Sequence, residues 1–305
     1  MAEPRSIERW VSLAGSVLAP AGAVTALLFY FGYASTRAKY EYFGVDVDTV
    51  GLDTRDFLMR SPQPLLVPLV LLAVLALLGL WMHLTIDGRI DRKPENDTRA
   101  RRHLDVVRRA SVALMAVGAV VLLVGVLLVI VYPWVRDWSA YDMVAPVCLM
   151  LGVALVTYGR YVRDRLSADG AESTTVDTRT RTVRIVIWVL CAVVVAGSAF
   201  WASSTLAEWS GRGQAVTLSA RFHELPSVIL DTKERLYVRD PVIQETVLPR
   251  EDGQTFRYRY RSLRLLVEGA DRMFLVPQDW SVGGSTLVVP LDESVRVQFQ
   301  FQNPG

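Results

Sequence analysis

The sequence predicts a membrane α-helical bundle of about five transmembrane helices, followed by a C-terminal all-β extracytoplasmic domain. Three observations carry that expectation. The 305-residue chain is 51% hydrophobic, with a mean hydropathy of +0.28, which is high for a soluble protein of this size. Its apolar residues concentrate in five long runs before residue 210. After Gly211 the pattern changes to short strand-like runs between turn signals. The expected division is therefore 1–210, helical and membrane-embedded, and 211–305, β-rich.

Each apolar run is long enough for a hydrocarbon core of roughly 30 Å, which takes about 20 helical residues. The expected spans are Val11–Tyr33, Pro64–Thr85, Ser111–Val135, Ala140–Tyr161 and Val183–Leu206. The first is too long for the apolar region of a signal peptide and is read as a retained helix. Orientation follows from the basic residues. The loop 86–110 holds Arg89, Arg92, Lys93, Arg99, Arg101, Arg102, Arg108 and Arg109. The loop 162–182 holds Arg163, Arg165, Arg179 and Arg181, with Arg160 and Arg184 at its edges. Both are expected in the cytoplasm. The turn at Arg136–Asp137 and the acidic loop 34–63 are expected outside. The N-terminus is then cytoplasmic and the C-terminal domain extracytoplasmic. Arg99, Arg101, Arg102, Arg108 and Arg109 are candidate contacts to anionic inner-leaflet lipid.

Small residues mark expected helix contacts: Gly15, Ala19 and Ala23 in the first span, Gly118 and Gly125 in the third, and Ala192, Ala196 and Gly197 in the fifth. Pro20 and Pro146 are expected to kink their helices. No expected span carries Asp, Glu, Lys or Arg in its central part, which argues against ion-coupled carriers and voltage sensors.

In the first outer loop, Asp53 or Thr54 caps an expected short helix reaching Arg60. Phe57 and Leu58 are expected to dip into the membrane interface beside the aromatics of the first span; if that span continues as a helix, Phe29, Tyr33 and Tyr40 share one face. Asp46, Asp48 and Gly51 imitate part of a calcium loop, but Val50 and Phe57 fall where ligands are required. The segment Tyr30–Phe31–Gly32–Tyr33, then Tyr40–Glu41–Tyr42–Phe43–Gly44–Val45–Asp46, then Asp56–Phe57–Leu58–Met59–Arg60–Ser61 resembles a group of uncharacterised multi-pass membrane proteins of bacteria with GC-rich genomes. Leu225–Leu230 and Tyr258–Leu266 are similar to the same group. The resemblance implies a multi-pass topology and a bacterial cell membrane; it implies no activity.

In the C-terminal domain, strands are expected at Ala215–Phe222, Ser227–Leu230, Arg235–Val238, Thr255–Leu266, Arg272–Val276, Thr286–Val289 and Val295–Phe301. Phe256, Tyr258 and Tyr260 should face a core. Arg257, Arg259 and Arg261 should face outward as a candidate surface for an acidic partner. The domain is expected to fold alone unless loop 34–63 completes its core.

Cys148 and Cys191 lie in apolar runs and the three histidines are scattered, so no metal site or cofactor is expected. No nucleophile elbow or phosphate loop is present. The net charge of +2 gives no case for nucleic acid. The expected function is a non-catalytic membrane scaffold or sensor whose outer domain binds a partner or envelope component. The alternative is a pore or transport subunit assembled through the small-residue helix faces. Expected partners are membrane lipids, a second copy of the chain, or another membrane protein.

Overall fold

A computed structural model describes the backbone of residues 4–90, 98–135, 137–138, 140–168 and 178–300, and of these the side chains from residue 20 on, apart from 89–105 and 167–180. The helices are α1 (Pro4–Glu41), α2 (Val47–Val50), α3 (Thr54–Arg60), α4 (Pro62–Ile90), α5 (Thr98–Ile130), α6 (Tyr132–Val135), α7 (Tyr141–Ala168) and α8 (Thr178–Ser219). A 3-10 turn at Phe222–Glu224 leads to β1 (Ser227–Thr232), β2 (Gln244–Val247), β3 (Tyr258–Glu268), β4 (Arg272–Pro277), β5 (Leu287–Pro290) and β6 (Val295–Gln300). The chain forms two compact units, Met1–Leu66 with Ala207–Gly305, and Val67–Leu206.

Four helices among the described residues are long and apolar enough to cross a membrane: Pro62–Gly88, Val106–Ile130, Tyr141–Leu166 and Arg181–Ser219. The expected span 11–33 falls on α1, whose side chains are described only from residue 20. Helices α1 and α7 continue through Pro20 and Pro146.

In the unit Val67–Leu206, the close contact is the antiparallel pair α5 and α7. A Cβ on Gly118 would lie 2.8 Å from Leu155 Cβ, and one on Gly125 would lie 3.0 Å from Leu149 N. The same holds in reverse for Gly152, 2.6 Å from Leu122 N, and Gly159, 2.7 Å from Met115 Cγ. Glycines seven apart on both helices thus bring the backbones together. Ala192, Ala196 and Gly197 on α8 are exposed, as is Ala23 on α1. The side chains at Gly15 and Ala19 lie outside the described residues.

In the other unit the sheet is antiparallel, in the order β5-β4-β3-β1-β6, with β2 also paired to β3. Strand β3 is bulged twice. Opposite β1, Leu230 pairs with Tyr260 and Val228 with Leu263, so one extra residue is inserted beside Ser262, whose φ is +64°. The insertion keeps Tyr260 and Leu263 on one face, where they pack with Val228, Leu230, Met273, Leu275 and Val289. The second bulge lies between Leu265 and Val267 and sends Leu266 and Val267 to the other face.

That other face is not closed by the sheet's own residues. Phe43, Val45, Val47 and Val50 from the first loop pack there with Phe222, Phe274, Val276 and Trp280. Phe43 lies 5.1 Å from the Trp280 ring and 5.7 Å from Phe222. The Thr286 hydroxyl donates to the Phe43 carbonyl at 2.7 Å. The alternative that the sequence left open is the one adopted: loop 34–63 completes the core. Burying a large apolar side chain contributes about 1.5–3 kcal/mol, so the loop's share is comparable with the whole stability of a small domain.

Two strand expectations are corrected. Ala215–Phe222 is the end of α8 and the 3-10 turn, because the helix runs on to Ser219 and buries Ala215 on its inner face. Arg235–Val238 is irregular; its Leu236 N–H donates to the buried Tyr260 hydroxyl at 2.8 Å instead of to a ladder. Strand β2 at Gln244–Val247 was not foreseen, its residues being largely exposed.

Asp231 is fully buried on β1. Arg259 on β3 donates to it through Nε at 2.7 Å and Nη2 at 2.9 Å. Arg296 on β6 donates through Nη2 at 2.6 Å. Both arginines are its registered cross-strand partners, so one carboxylate ties three strands. These guanidinium groups, Arg259 first, hold its carboxyl below the usual carboxylate range against the opposing effect of burial. The folded-state pKa is depressed, so this stabilisation is present above about pH 4 and is lost as pH falls through the folded value. Asp231→Ala should cost about 2 kcal/mol, from the loss of charge-assisted hydrogen bonds to two partly exposed guanidinium groups. Thermal melts of the full chain at pH 7 and pH 3 test this: the gap between wild type and variant should be large at pH 7 and narrow in acid. An equal gap at both would refute the assignment.

Candidate functional site

The end of α1 places Ser35, Thr36, Lys39 and Tyr40 on one helical face, by their spacing of one, three and four residues. Helix α3 follows from its capping box: the Asp53 carboxylate accepts from Thr54 N at 2.7 Å, while Asp56 accepts from Asp53 N at 2.9 Å. Phe57 on α3 packs on Phe29 and Tyr33 of α1, at 5.5 and 5.4 Å between ring centres. A Cβ on Gly32 would fall 2.0 Å from the Phe57 carbonyl oxygen, so only glycine admits this approach. Helix α8 crosses α1 as closely, with Gly211 against the Ser35 carbonyl.

These contacts enclose a pocket of about 390 Å³. Lys39, Arg60, Gln63 and Gln214 supply its polar lining, with Ser35 and Thr36 behind them. No carboxylate lines it among the described residues. Gln63 belongs to the first turn of α4, between Pro62 and Pro64, neither of which has a backbone N–H. Arg60 Nη1 donates to the Tyr40 hydroxyl at 3.0 Å. Lys39 is half-buried. Burial, and then the neighbouring Arg60 charge, push its amine below the ordinary lysine value near 10.5. Two cations and two side-chain amides suit an anion of headgroup size.

The sequence did not single out this site. Its signal was Lys39, one of three lysines in the chain, on a helical face with two hydroxyl residues. Asp46 and Asp48 are used locally: Asp46 caps α2, and Asp48 accepts from the Tyr33 hydroxyl at 3.2 Å. No group of His, Cys, Asp or Glu suited to a metal occurs among the described residues. Of the three arginines expected to face outward, Arg259 on β3 is engaged by Asp231, Arg261 on β3 is exposed, and Arg257 lies just before the strand and is half-buried. Arg108 and Arg109 are exposed near the start of the apolar stretch of α5, whereas the side chains of Arg99, Arg101 and Arg102 lie outside the described residues. In the other unit, His83 faces Asp87 at 3.5 Å and the Tyr161 hydroxyl donates to Asp87 at 3.3 Å, joining α4 to α7.

No protein-family model matches the chain, and no curated protein or solved structure matches it.

Lys39 has a folded-state pKa below its unfolded value, so the unfolded chain holds that proton more tightly. Stability should therefore rise with pH up to about 10.5. Lys39→Met should melt higher than wild type at pH 7, and the difference should shrink as the pH approaches 10. A lower melt at pH 7 would show that the amine has a stabilising partner.

Proposed function

We propose that this chain is a non-catalytic integral membrane scaffold or sensor whose outer β unit binds an anionic envelope component. The observation that carries the reading is the cationic pocket of Lys39, Arg60, Gln63 and Gln214, built where the end of α1, the α3–α4 junction and α8 meet. Its polar groups are held by the same packing that closes the sheet, so the site is preorganised rather than formed by a loose loop. The chain crosses the membrane five times, with α1 as the first span, a cytoplasmic N-terminus and an extracytoplasmic C-terminus. The alternation of basic loops supports that orientation, and the resemblance supports a bacterial cell membrane. For the pore reading, the glycine face of Gly118 and Gly125 is occupied by α7 within one chain, while Ala192, Ala196 and Gly197 on α8 remain exposed.

Titration of the full chain in nanodiscs with glycerol 3-phosphate should give saturable binding. Lys39→Met with Arg60→Gln should weaken it at least about tenfold, from the loss of two charged contacts. Equal affinity in wild type and the double variant, or no binding to either, would sink the pocket assignment.

Topology is checked separately. A cysteine at Ser281 should be labelled by a membrane-impermeant maleimide in intact cells, and a cysteine at Ser173 only after permeabilisation. Labelling at Ser173 in intact cells would reverse the orientation.

A further inference from the structure

A second cavity, of about 430 Å³, lies in the other unit between the later turns of α7 and the early turns of α8. Its two ends differ in chemistry. Arg160, Arg165 and Arg184 line one end, with Asp164 the one carboxylate in the lining. Ile187, Trp188 and Cys191 line the other, together with Thr157. On α8 the residues Arg184, Ile187, Trp188 and Cys191 follow one another at steps of three, one and three, which is one helical face. From Arg184 to Cys191 that face runs about 10 Å along the axis. The tie between the two helices lies at the opposite end, where the Thr205 hydroxyl donates to the Asp142 carbonyl at 3.0 Å and Tyr141 meets Trp201 at 6.1 Å. The groove is thus charged at one end and apolar along its length, between two helices apolar enough to span a bilayer.

We infer that this groove binds one anionic phospholipid, its phosphate between Arg160 and Arg184 and an acyl chain along Ile187, Trp188 and Cys191. Among the described residues, the guanidinium groups of Arg160 and Arg184 stand against the single carboxylate of Asp164 in the lining, so a negative headgroup is favoured over a zwitterionic one. The Tyr161 hydroxyl, also in the lining, is turned to Asp87 and leaves the guanidinium groups as the principal donors. A free phosphate would satisfy the charged end and leave the apolar length unfilled. A lipid fills both, and Trp188 lies one turn from Arg184, at the depth where indole rings favour the bilayer interface. The inference rests on the reading of α7 and α8 as spans and uses none of the residues of the Lys39 pocket. It also differs from general attraction of the basic 86–110 loop to a charged leaflet, which needs no groove.

The test is native mass spectrometry of the full chain released from nanodiscs holding equal amounts of phosphatidylglycerol and phosphatidylcholine. Wild type should retain one phosphatidylglycerol per chain in preference to phosphatidylcholine. Arg160→Gln with Arg184→Gln should lower that retention on the order of thirtyfold, from two basic contacts. Cys191→Trp, which fills the apolar end and keeps every charge, should lower it as well. Arg108→Gln with Arg109→Gln should leave it unchanged. Unaltered retention in the Arg160/Arg184 variant overturns the inference, as does an equal loss in the Arg108/Arg109 variant. Displacement of the lipid by inorganic phosphate at millimolar concentration overturns it too, since it would assign the site to a free anion. Maleimide labelling at Ser173 and Ser281 in the same variants reports membrane insertion independently, so a failure of topology is told apart from a failure of the lipid site.

Discussion

The contact of Phe43 with Phe222 and Trp280 is the constraint from which the unit of residues 1–66 and 207–305 takes its form. The three rings pack at 5.1 to 5.7 Å, and each comes from a different part of the chain. Phe43 follows the first helix, Phe222 follows the last, and Trp280 lies between β4 and β5. Aromatic side chains bury large areas and favour such tilted and edge-on geometries. Once the wedge is made, α1 and α8 are brought together, and Gly211 lets them approach at the Ser35 carbonyl. The cationic pocket is a consequence of that crossing. Its basic groups are carried by α1 and α3, whose separation is set by Phe57 against Phe29 and Tyr33.

The sheet supplies the rigid half of this arrangement. Asp231 ties β3, β1 and β6 through two arginines, and the buried carboxylate is tolerable because both partners are charged and one is bidentate. The bulges in β3 decide which residues face the wedge. Without the insertion beside Ser262, Leu263 would turn away from Tyr260. Without the second, Leu266 and Val267 could not both face Phe43. Thus two local irregularities, each of one residue, give a strand that serves two cores.

The two cavities are of opposite design. The Lys39 pocket is lined by polar groups together with Met59 and Pro62, and lies on a unit stabilised by a buried core. The α7–α8 groove is polar only at its mouth and runs between helices whose side chains are mostly exposed. A soluble or headgroup-like anion suits the first; a molecule with a charged head and an apolar tail suits the second. The α5–α7 pair is excluded from such a role because glycine on both partners removes the space between them.

The sequence by itself determined the apolar helices, the change of pattern after Gly211 and the capped helix at Asp53–Arg60. These are local properties: run length, period and capping residues are written in neighbouring positions. It also put Phe57 beside the aromatics of α1, at the membrane interface; the ring contacts with Phe29 and Tyr33 were decided by the tertiary structure. It could not decide that Phe43 and Val47 belong to the core of a sheet more than 180 residues away in sequence, because pairing between distant segments leaves no periodic trace. The run at Ala215–Phe222 read as a strand, yet the helix continues through it, since α8 buries Ala215 against its unit and packing overrides weak propensity. Arg259 looked like one of three outward arginines; only cross-strand register showed that Asp231 stands opposite it. Lys39 and Gln214 are separated by most of the chain, and the tertiary crossing of α1 and α8 made them neighbours.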